Sequence, residues 1–271
     1  MIRRILLASS LVAFGACVDT TEGSDTAVGL ALGTVQVSLE AQSALLAAVD
    51  SCANCVTLQD LGNHVRDTLG ACATVSAISK AAESDQSCEK EGSGSHLLIG
   101  KPLVRVDMTG CDLGLGRPVS GKMLVTQADG SVLRYYETDL VTGDHGVASC
   151  GQVSGAAGGH SIGYNAVAHG PTGGDVFLYW NGPASVAGAE NVRSGVFAAS
   201  FTAADGIGYE VDGEASSLSR TTGDSLPHAG RITFAGIAGR ASLEFGAETP
   251  TTGGIRLTRS DGVQETVIVA R

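Results

Sequence analysis

Hydrophobic and polar residues follow two different periods along this chain. Between residues 37 and 84, apolar side chains recur every three or four positions, as they do on one face of an α-helix. We predict two or three short helices in this part of the chain. The first apolar stripe consists of Leu45, Leu46, Val49, Cys52 and Ala53, and the second of Leu58, Leu61, Val65, Leu69, Cys72, Val75 and Ile78.

Two local signals place the helix ends. Thr57 and Asp60 have the spacing of a capping box, in which each side chain bonds the other's backbone, so a helix is predicted to begin there. Gly70 interrupts the second stripe and predicts a break within it.

After residue 95 the period changes to two, which is typical of β-strands with one buried face. Alternation is clearest at residues 103–107, 232–234, 241–245 and 255–259. Asp-Gly pairs, a strong hairpin signal, occur at 129–130, 205–206, 212–213 and 261–262. The pattern therefore predicts many short antiparallel strands joined by tight turns.

Composition supports this interpretation. The chain has 271 residues and 38 glycines, most of which follow residue 95. We predict a mainly β protein with a small N-terminal α-helical region, in which a Gly-rich antiparallel meander forms a sandwich or a barrel-like domain. The predicted units are a signal peptide (1–16), a flexible tether (17–36), a small helical region (37–90), a linker (91–95) and the antiparallel β domain (96–271).

The N-terminus predicts export. Arg3 and Arg4 precede an apolar run over residues 5–14, as in a secretory signal peptide. The ending Phe14-Gly15-Ala16-Cys17 resembles the lipobox of bacterial lipoproteins, although Leu is usual where Phe14 stands. The resemblance implies that Cys17 is lipidated and becomes the mature N-terminus. An ordinary signal peptide, leaving Cys17 as an unpaired thiol, is the alternative.

The resemblance also implies an address. A lipidated Cys17 anchors the chain in the cell envelope, and Val18 at the next position favours the outer membrane of a Gram-negative bacterium over the inner one. No later segment has 18 continuous apolar residues, so no transmembrane helix is expected.

Besides Cys17 there are six cysteines, an even number that predicts disulfides in an exported protein. They are Cys52, Cys55, Cys72, Cys88, Cys111 and Cys150. Cys52 and Cys55 also have the spacing of a redox pair or half a zinc site, but they lie amid helical sequence. A continuous helix would keep Cys72 from reaching them, which favours Cys88 as a partner for one of the two. Cys111 and Cys150 are candidates to close a loop within the β domain.

The charge of −11 provides no basic surplus for nucleic acid. Glu210, Asp212 and Glu214 alternate, so a strand would place all three on one face, as a solvated acidic surface or a calcium site. The acidic surface is preferred. Histidines and cysteines lack the spacing of a zinc site, and we expect no metal and no cofactor.

One motif suggests catalysis. Residues 159–163, Gly-His-Ser-Ile-Gly, resemble the nucleophile elbow of α/β-hydrolases, with Ser161 as the nucleophile. The elbow requires a buried strand before it and a helix after it, whereas loop-like and strand-like sequence surrounds Ser161. In a Gly-rich domain such matches arise by chance. We therefore expect no enzyme, and keep a secreted serine hydrolase as an alternative.

The densest aromatic cluster is the candidate binding site. Phe177 and Tyr179 alternate along the chain and Trp180 faces the other way, so one face of this strand is aromatic whichever way it points. The sequence favours an envelope-anchored lipoprotein with a structural or binding role, whose partner is an envelope protein or an apolar ligand. A carrier holding an apolar ligand in a β cup is the alternative.

Overall fold

The computed structural model describes residues 24–52, 55–81, 98, 100–127, 133–156, 159–171, 173–203 and 206–271. Thirteen strands form one antiparallel sheet in which each strand pairs with the next in sequence. The sheet is not closed, because its first and last strands do not pair with each other. The predicted antiparallel meander with an N-terminal helix is confirmed.

Three helices and thirteen strands make up the described chain. The helices are α1 (Ser24–Asp50), α2 (Leu58–Leu69) and α3 (Thr249–Thr252), and a 3₁₀ turn spans Gly70–Cys72. The strands are β1 (Ala73–Ile78), β2 (Leu103–Asp112), β3 (Pro118–Gln127), β4 (Arg134–Thr142), β5 (His145–Ala156), β6 (Gly159–Gly170), β7 (Gly173–Ala187), β8 (Glu190–Thr202), β9 (Gly208–Thr221), β10 (Ala229–Ala235), β11 (Arg240–Phe245), β12 (Gly254–Thr258) and β13 (Gln264–Ile268).

The sheet wraps around α1. This helix contacts strands β4 to β7 and also strands β11 to β13. In a flat sheet β5 and β12 would lie roughly 34 Å apart, at about 4.8 Å per strand, whereas a helix is only about 10–12 Å wide. One helix therefore touches both groups because the sheet curves about it.

Burial along α1 agrees with this position. From Ser24 to Val49 no residue is exposed, and Leu32, Leu39 and Leu45 lie in the centre of the core. Gly29 and Gly33 let the helix approach the sheet, since a Cβ at Gly33 would lie 2.6 Å from Val269 Cγ2. Among the described helices α1 alone is long and apolar enough to cross a membrane, and 83% of its most apolar stretch is buried inside the protein.

Three boundary predictions are wrong. The predicted tether of residues 17–36 is helical and buried from Ser24 onward, because the sheet encloses it. Val75 and Ile78, assigned to a helical stripe, lie in β1, where Val75 pairs with Val106 of β2. The Asp212-Gly213 pair lies inside β9 rather than at a turn.

Local signals at α2 and at the last hairpin are confirmed. The Thr57 hydroxyl accepts from the Asp60 backbone N–H at 3.1 Å, and the Asp60 carboxylate accepts from the Thr57 backbone N–H at 3.1 Å. Gly70, with φ 67°, ends α2. Gly262, with φ 88°, lies in the turn between β12 and β13.

The disulfides differ from the expected pairing. Cys52 bonds to Cys55, with Cα atoms 5.6 Å apart, because α1 ends just before them and leaves the chain free to turn. Cys72, in the 3₁₀ turn, bonds to Cys111 of β2, which overturns the Cys111–Cys150 loop. The Cys52–Cys55 bond overturns Cys88 as a partner for either of those cysteines. Cys150 is also disulfide-bonded. The signal peptide, Cys17, Cys88 and the 91–95 linker lie outside the described residues.

Candidate functional site

Period-two alternation along β7 separates its aromatic side chains. Phe177 and Tyr179 point away from α1 and are 54% and 45% exposed, whereas Trp180 points inward and is 3% exposed. The Trp180 ring stacks on Tyr164 of β6, with centroids 6.4 Å apart. Of the three predicted binding residues, Phe177 and Tyr179 therefore share the outer surface, and Trp180 belongs to the core.

Each exposed aromatic residue lies in a cross-strand row with a carboxylate. Tyr179 pairs with Ala198, which pairs with Asp212. Phe177 pairs with Ser200, which pairs with Glu210. Two strand spacings, about 10 Å, therefore separate the aromatic column from the acidic column. We name the surface formed by Phe177, Tyr179, Val196, Glu210 and Asp212 the aromatic–acidic face.

This face has few neutralising cations. Glu210 and Asp212 are exposed and have no hydrogen-bond or ion-pair partner in the described part of the chain. Glu214, next along the acidic column, pairs with Arg240 at 3.2 Å. Arg193 is the one Lys or Arg between positions 159 and 219, and its guanidinium donates to the Ser43 hydroxyl of α1 at 2.6 Å.

A groove opens at one end of the aromatic–acidic face. Its volume is about 750 Å³, and Phe177 and Glu210 form part of its wall. Asp175, a further exposed carboxylate, lines it together with the Ser200 and Thr202 positions. Gly174 and Gly208 add no side chain there, so backbone is accessible at the groove floor.

Ser161 lies on the exposed side of β6, where it pairs with Ser154 on one side and Pro183 on the other. The strand continues from Gly159 to Gly170, so the strand-to-helix turn of a nucleophile elbow is not formed at this position.

The three acidic residues predicted to share a face do so. Glu210, Asp212 and Glu214 all lie on the exposed side of β9. Among the residues that the structure describes, no group of three or more His, Cys, Asp or Glu side chains is arranged to hold a metal ion.

Sequence patterns missed a second polar region, which lies inside the molecule along α1. Glu40 is 1% exposed and accepts a hydrogen bond from Arg117. Its second oxygen, Oε1, has no partner in the described chain. Burial raises the pKa of Glu40, opposed mainly by the charges of Arg220 and Arg117. The sequence signal for this interior region is Glu40 itself, a single acidic residue within an apolar helical stretch.

His145 belongs to the same interior region. Its ring is buried, and Nδ1 lies 3.5 Å from the Ser38 hydroxyl of α1. Burial lowers the pKa of His145 from its ordinary value of 6.5. The positive charge of Arg117 lowers this pKa further, and the negative charge of Asp144 opposes both effects. The folded protein therefore favours the neutral ring.

This lowered pKa predicts a pH dependence of stability. The His145 contribution is present above about pH 6.5, the unfolded pKa, and is lost as the pH falls through the folded pKa. The free energy of unfolding is expected to fall by up to about 1.4 kcal/mol per pH unit in that window. His145→Gln should flatten this slope in urea titrations between pH 5 and 7.5. Equal slopes in the wild-type protein and His145→Gln would refute the assignment.

Comparison with known proteins gives no match. Neither a protein-family model nor a curated protein nor a solved structure is similar to this chain.

Proposed function

We propose that this protein is an envelope lipoprotein, anchored through Cys17, that binds a basic protein partner through the aromatic–acidic face. The observation that carries the proposal is the exposure of Phe177 and Tyr179 about 10 Å from two carboxylates that have no partner among the described residues. Exposed aromatic side chains are enriched in protein interfaces, where they contribute much of the binding energy.

Charge selects the class of partner. Glu210 and Asp212 stand about 10 Å from the aromatic column, and the face supplies no cation to neutralise them. Lys or Arg side chains of a partner would lie over the rings of Phe177 and Tyr179 and pair with the carboxylates. The overall charge of −11 favours the same encounter at long range.

The interior argues against a carrier of apolar ligand. A cup needs a cavity on the concave side of the sheet, and α1 occupies that side with Leu32, Leu39 and Leu45. A partner on the outer surface fits this arrangement better, because it can bind without displacing α1 from the core. The hydrolase alternative has no support from the position of Ser161.

Site-specific photo-crosslinking in the producing cell tests the proposal. Tyr179 is replaced by a photoreactive phenylalanine, which keeps an aromatic ring at a 45% exposed position. We expect a discrete protein adduct whose partner carries a basic surface. Because anchoring depends on Cys17 and not on β7, membrane fractionation of a Cys17→Ser variant tests the anchor separately.

The matched control carries the same photoreactive residue at Ile268 of β13, which is 63% exposed and outside the aromatic–acidic face. Adducts of equal identity and yield from both positions would show collision rather than a binding site. Absence of any adduct from position 179 would reject the proposed surface.

A further inference from the structure

An irregularity in β9 turns one arginine into the core. Up to Ala215 the buried residues of β9 have odd numbers. After Ala215 the buried residues, Leu218 and Arg220, have even numbers. The change occurs at Ser217, which has a φ of 49°, in the left-handed region that a residue with a Cβ seldom adopts. With strict alternation Arg220 would face solvent on the side of Glu210.

The neighbouring strands accommodate this bulge. The register of β8 against β9 shifts between Arg193 and Gly195, and that of β10 shifts between Ala229 and Arg231. Gly230 lies against the bulge with a φ of 107°, where a Cβ would stand 2.4 Å from the Ser217 carbonyl oxygen. Three strands therefore adapt to one bulge, and bulges of this kind commonly re-aim a side chain at a functional site.

The guanidinium so placed is only partly satisfied. Arg220 is 6% exposed, and its Nη2 donates to the Gln36 carbonyl oxygen of α1 at 2.6 Å. Its Nε and Nη1 are buried without a hydrogen-bond partner in the described chain. Burial lowers the pKa of Arg220 to about 9, so the group is still charged at neutral pH. A buried charge with unpaired donors is costly unless something binds it.

Charges of both signs act on Arg220, but no carboxylate bonds to its guanidinium within the described residues. Arg193 lies close enough to act on its charge and donates to the neutral Ser43 hydroxyl. Glu40, the buried carboxylate nearby, is hydrogen-bonded to Arg117 instead. The negative charge of Asp224 also acts on Arg220. The Asp224 side chain is 29% exposed, however, and its Oδ2 lies 3.3 Å from Nδ1 of His228. Neither Arg193 nor Arg220 forms an ion pair within the described residues.

Aromatic donors complete the same region. The Tyr164 hydroxyl lies near Arg193 and is buried without a hydrogen-bond partner among the described residues, and the Tyr164 ring stacks on Trp180. The Trp180 indole Nε1 is buried without a partner in the described chain. Guanidinium and indole N–H groups can only donate hydrogen bonds, so what Arg220 and Trp180 lack is an acceptor.

We propose that Arg220 and Arg193 bind a small oxyanion, a carboxylate or a phosphate, enclosed between α1 and strands β8 and β9. The anion accepts hydrogen bonds from the Arg220 nitrogens that have no protein partner, and it neutralises the repulsion between the two guanidinium groups. This site is separate from the aromatic–acidic face, and its test does not depend on that proposal.

Thermal unfolding tests the site, because a ligand that binds only the folded state raises the melting temperature by mass action. The wild-type protein, Arg220→Met and Arg231→Met are unfolded in sodium phosphate, acetate or chloride at constant ionic strength. Arg231 is the control, since it is exposed and pairs with Glu244 on the surface. Phosphate also stabilises proteins generally, and that part of the shift is common to all three proteins.

We expect phosphate or acetate to raise the melting temperature of wild type and Arg231→Met above the chloride value, and Arg220→Met to lose that extra rise. Equal responses of the three proteins would overturn the proposal. If Arg220→Met does not fold, wild-type fluorescence decides, because Trp180 is the one tryptophan of the chain. A saturable change with either oxyanion, absent in chloride, supports the site. No saturable change with either oxyanion rejects it.

Discussion

Replacement of Glu40 by Ala is expected to lower the free energy of unfolding by about 3–5 kcal/mol, the usual cost of leaving a buried charge without its partner. Glu40 is 1% exposed, and it accepts from Arg117 while its charge also acts on Arg220. The variant leaves the buried guanidinium of Arg220 and the 20% exposed side chain of Arg117 without this carboxylate. Urea unfolding at pH 7.5, followed by circular dichroism, measures the change.

Two variants separate charge from packing. Glu40→Gln keeps the side-chain volume but removes the charge, so most of the loss should persist. Glu214→Ala removes a carboxylate whose ion pair with Arg240 is exposed, and it should cost no more than about 1 kcal/mol. If Glu40→Ala had the same free energy of unfolding as the wild-type protein, the stabilising role of this buried network would be contradicted.

Loss of the Cys72–Cys111 disulfide is the second large effect. This bond joins cysteines 39 positions apart and ties the turn after α2 to β2. A closed loop of that length restricts the unfolded chain enough to contribute about 4 kcal/mol in the chain-entropy description. The Cys72→Ala/Cys111→Ala double variant should therefore unfold at a much lower urea concentration than the wild-type protein.

The Cys52–Cys55 disulfide is the matched control. Its cysteines are 3 positions apart, so the same description gives only about 1.5 kcal/mol for Cys52→Ala/Cys55→Ala. Unfolding of both double variants under oxidising conditions compares the two bonds. Equal losses of stability would show that loop length does not govern the contribution of these disulfides.

The sheet was predictable from the sequence because its signals are local. Alternation and Asp-Gly turns specify hairpins between neighbouring strands, and this sheet consists of such hairpins. The first half of α1 was not predictable in this way. Gly29, Gly33 and several Ser and Thr residues weaken its helix propensity, and burial on all sides leaves no apolar stripe to recognise. The helix forms there because the sheet encloses it.

The two polar regions differ in the same respect. Alternation alone separates Phe177 and Tyr179 from Trp180, and the structure adds that Phe177 and Tyr179 are on the outer side. The inward direction of Arg220 depends on the bulge at Ser217. No pattern in the sequence predicts the φ of 49° at this residue. The pairing of Cys72 with Cys111 likewise depends on β1 joining β2, whereas the spacing of Val75 and Ile78 favours a helix.

The most direct test of the proposed binding role is the yield of the photo-adduct from position 179 in charge-reversal variants. Asp212→Lys changes the carboxylate in the row of Tyr179, and Glu248→Lys makes the same change at an exposed position outside the aromatic–acidic face. We predict that Asp212→Lys reduces the adduct at least tenfold and that Glu248→Lys leaves it unchanged. An adduct insensitive to Asp212→Lys, or equally reduced by both variants, would contradict a basic partner on this face.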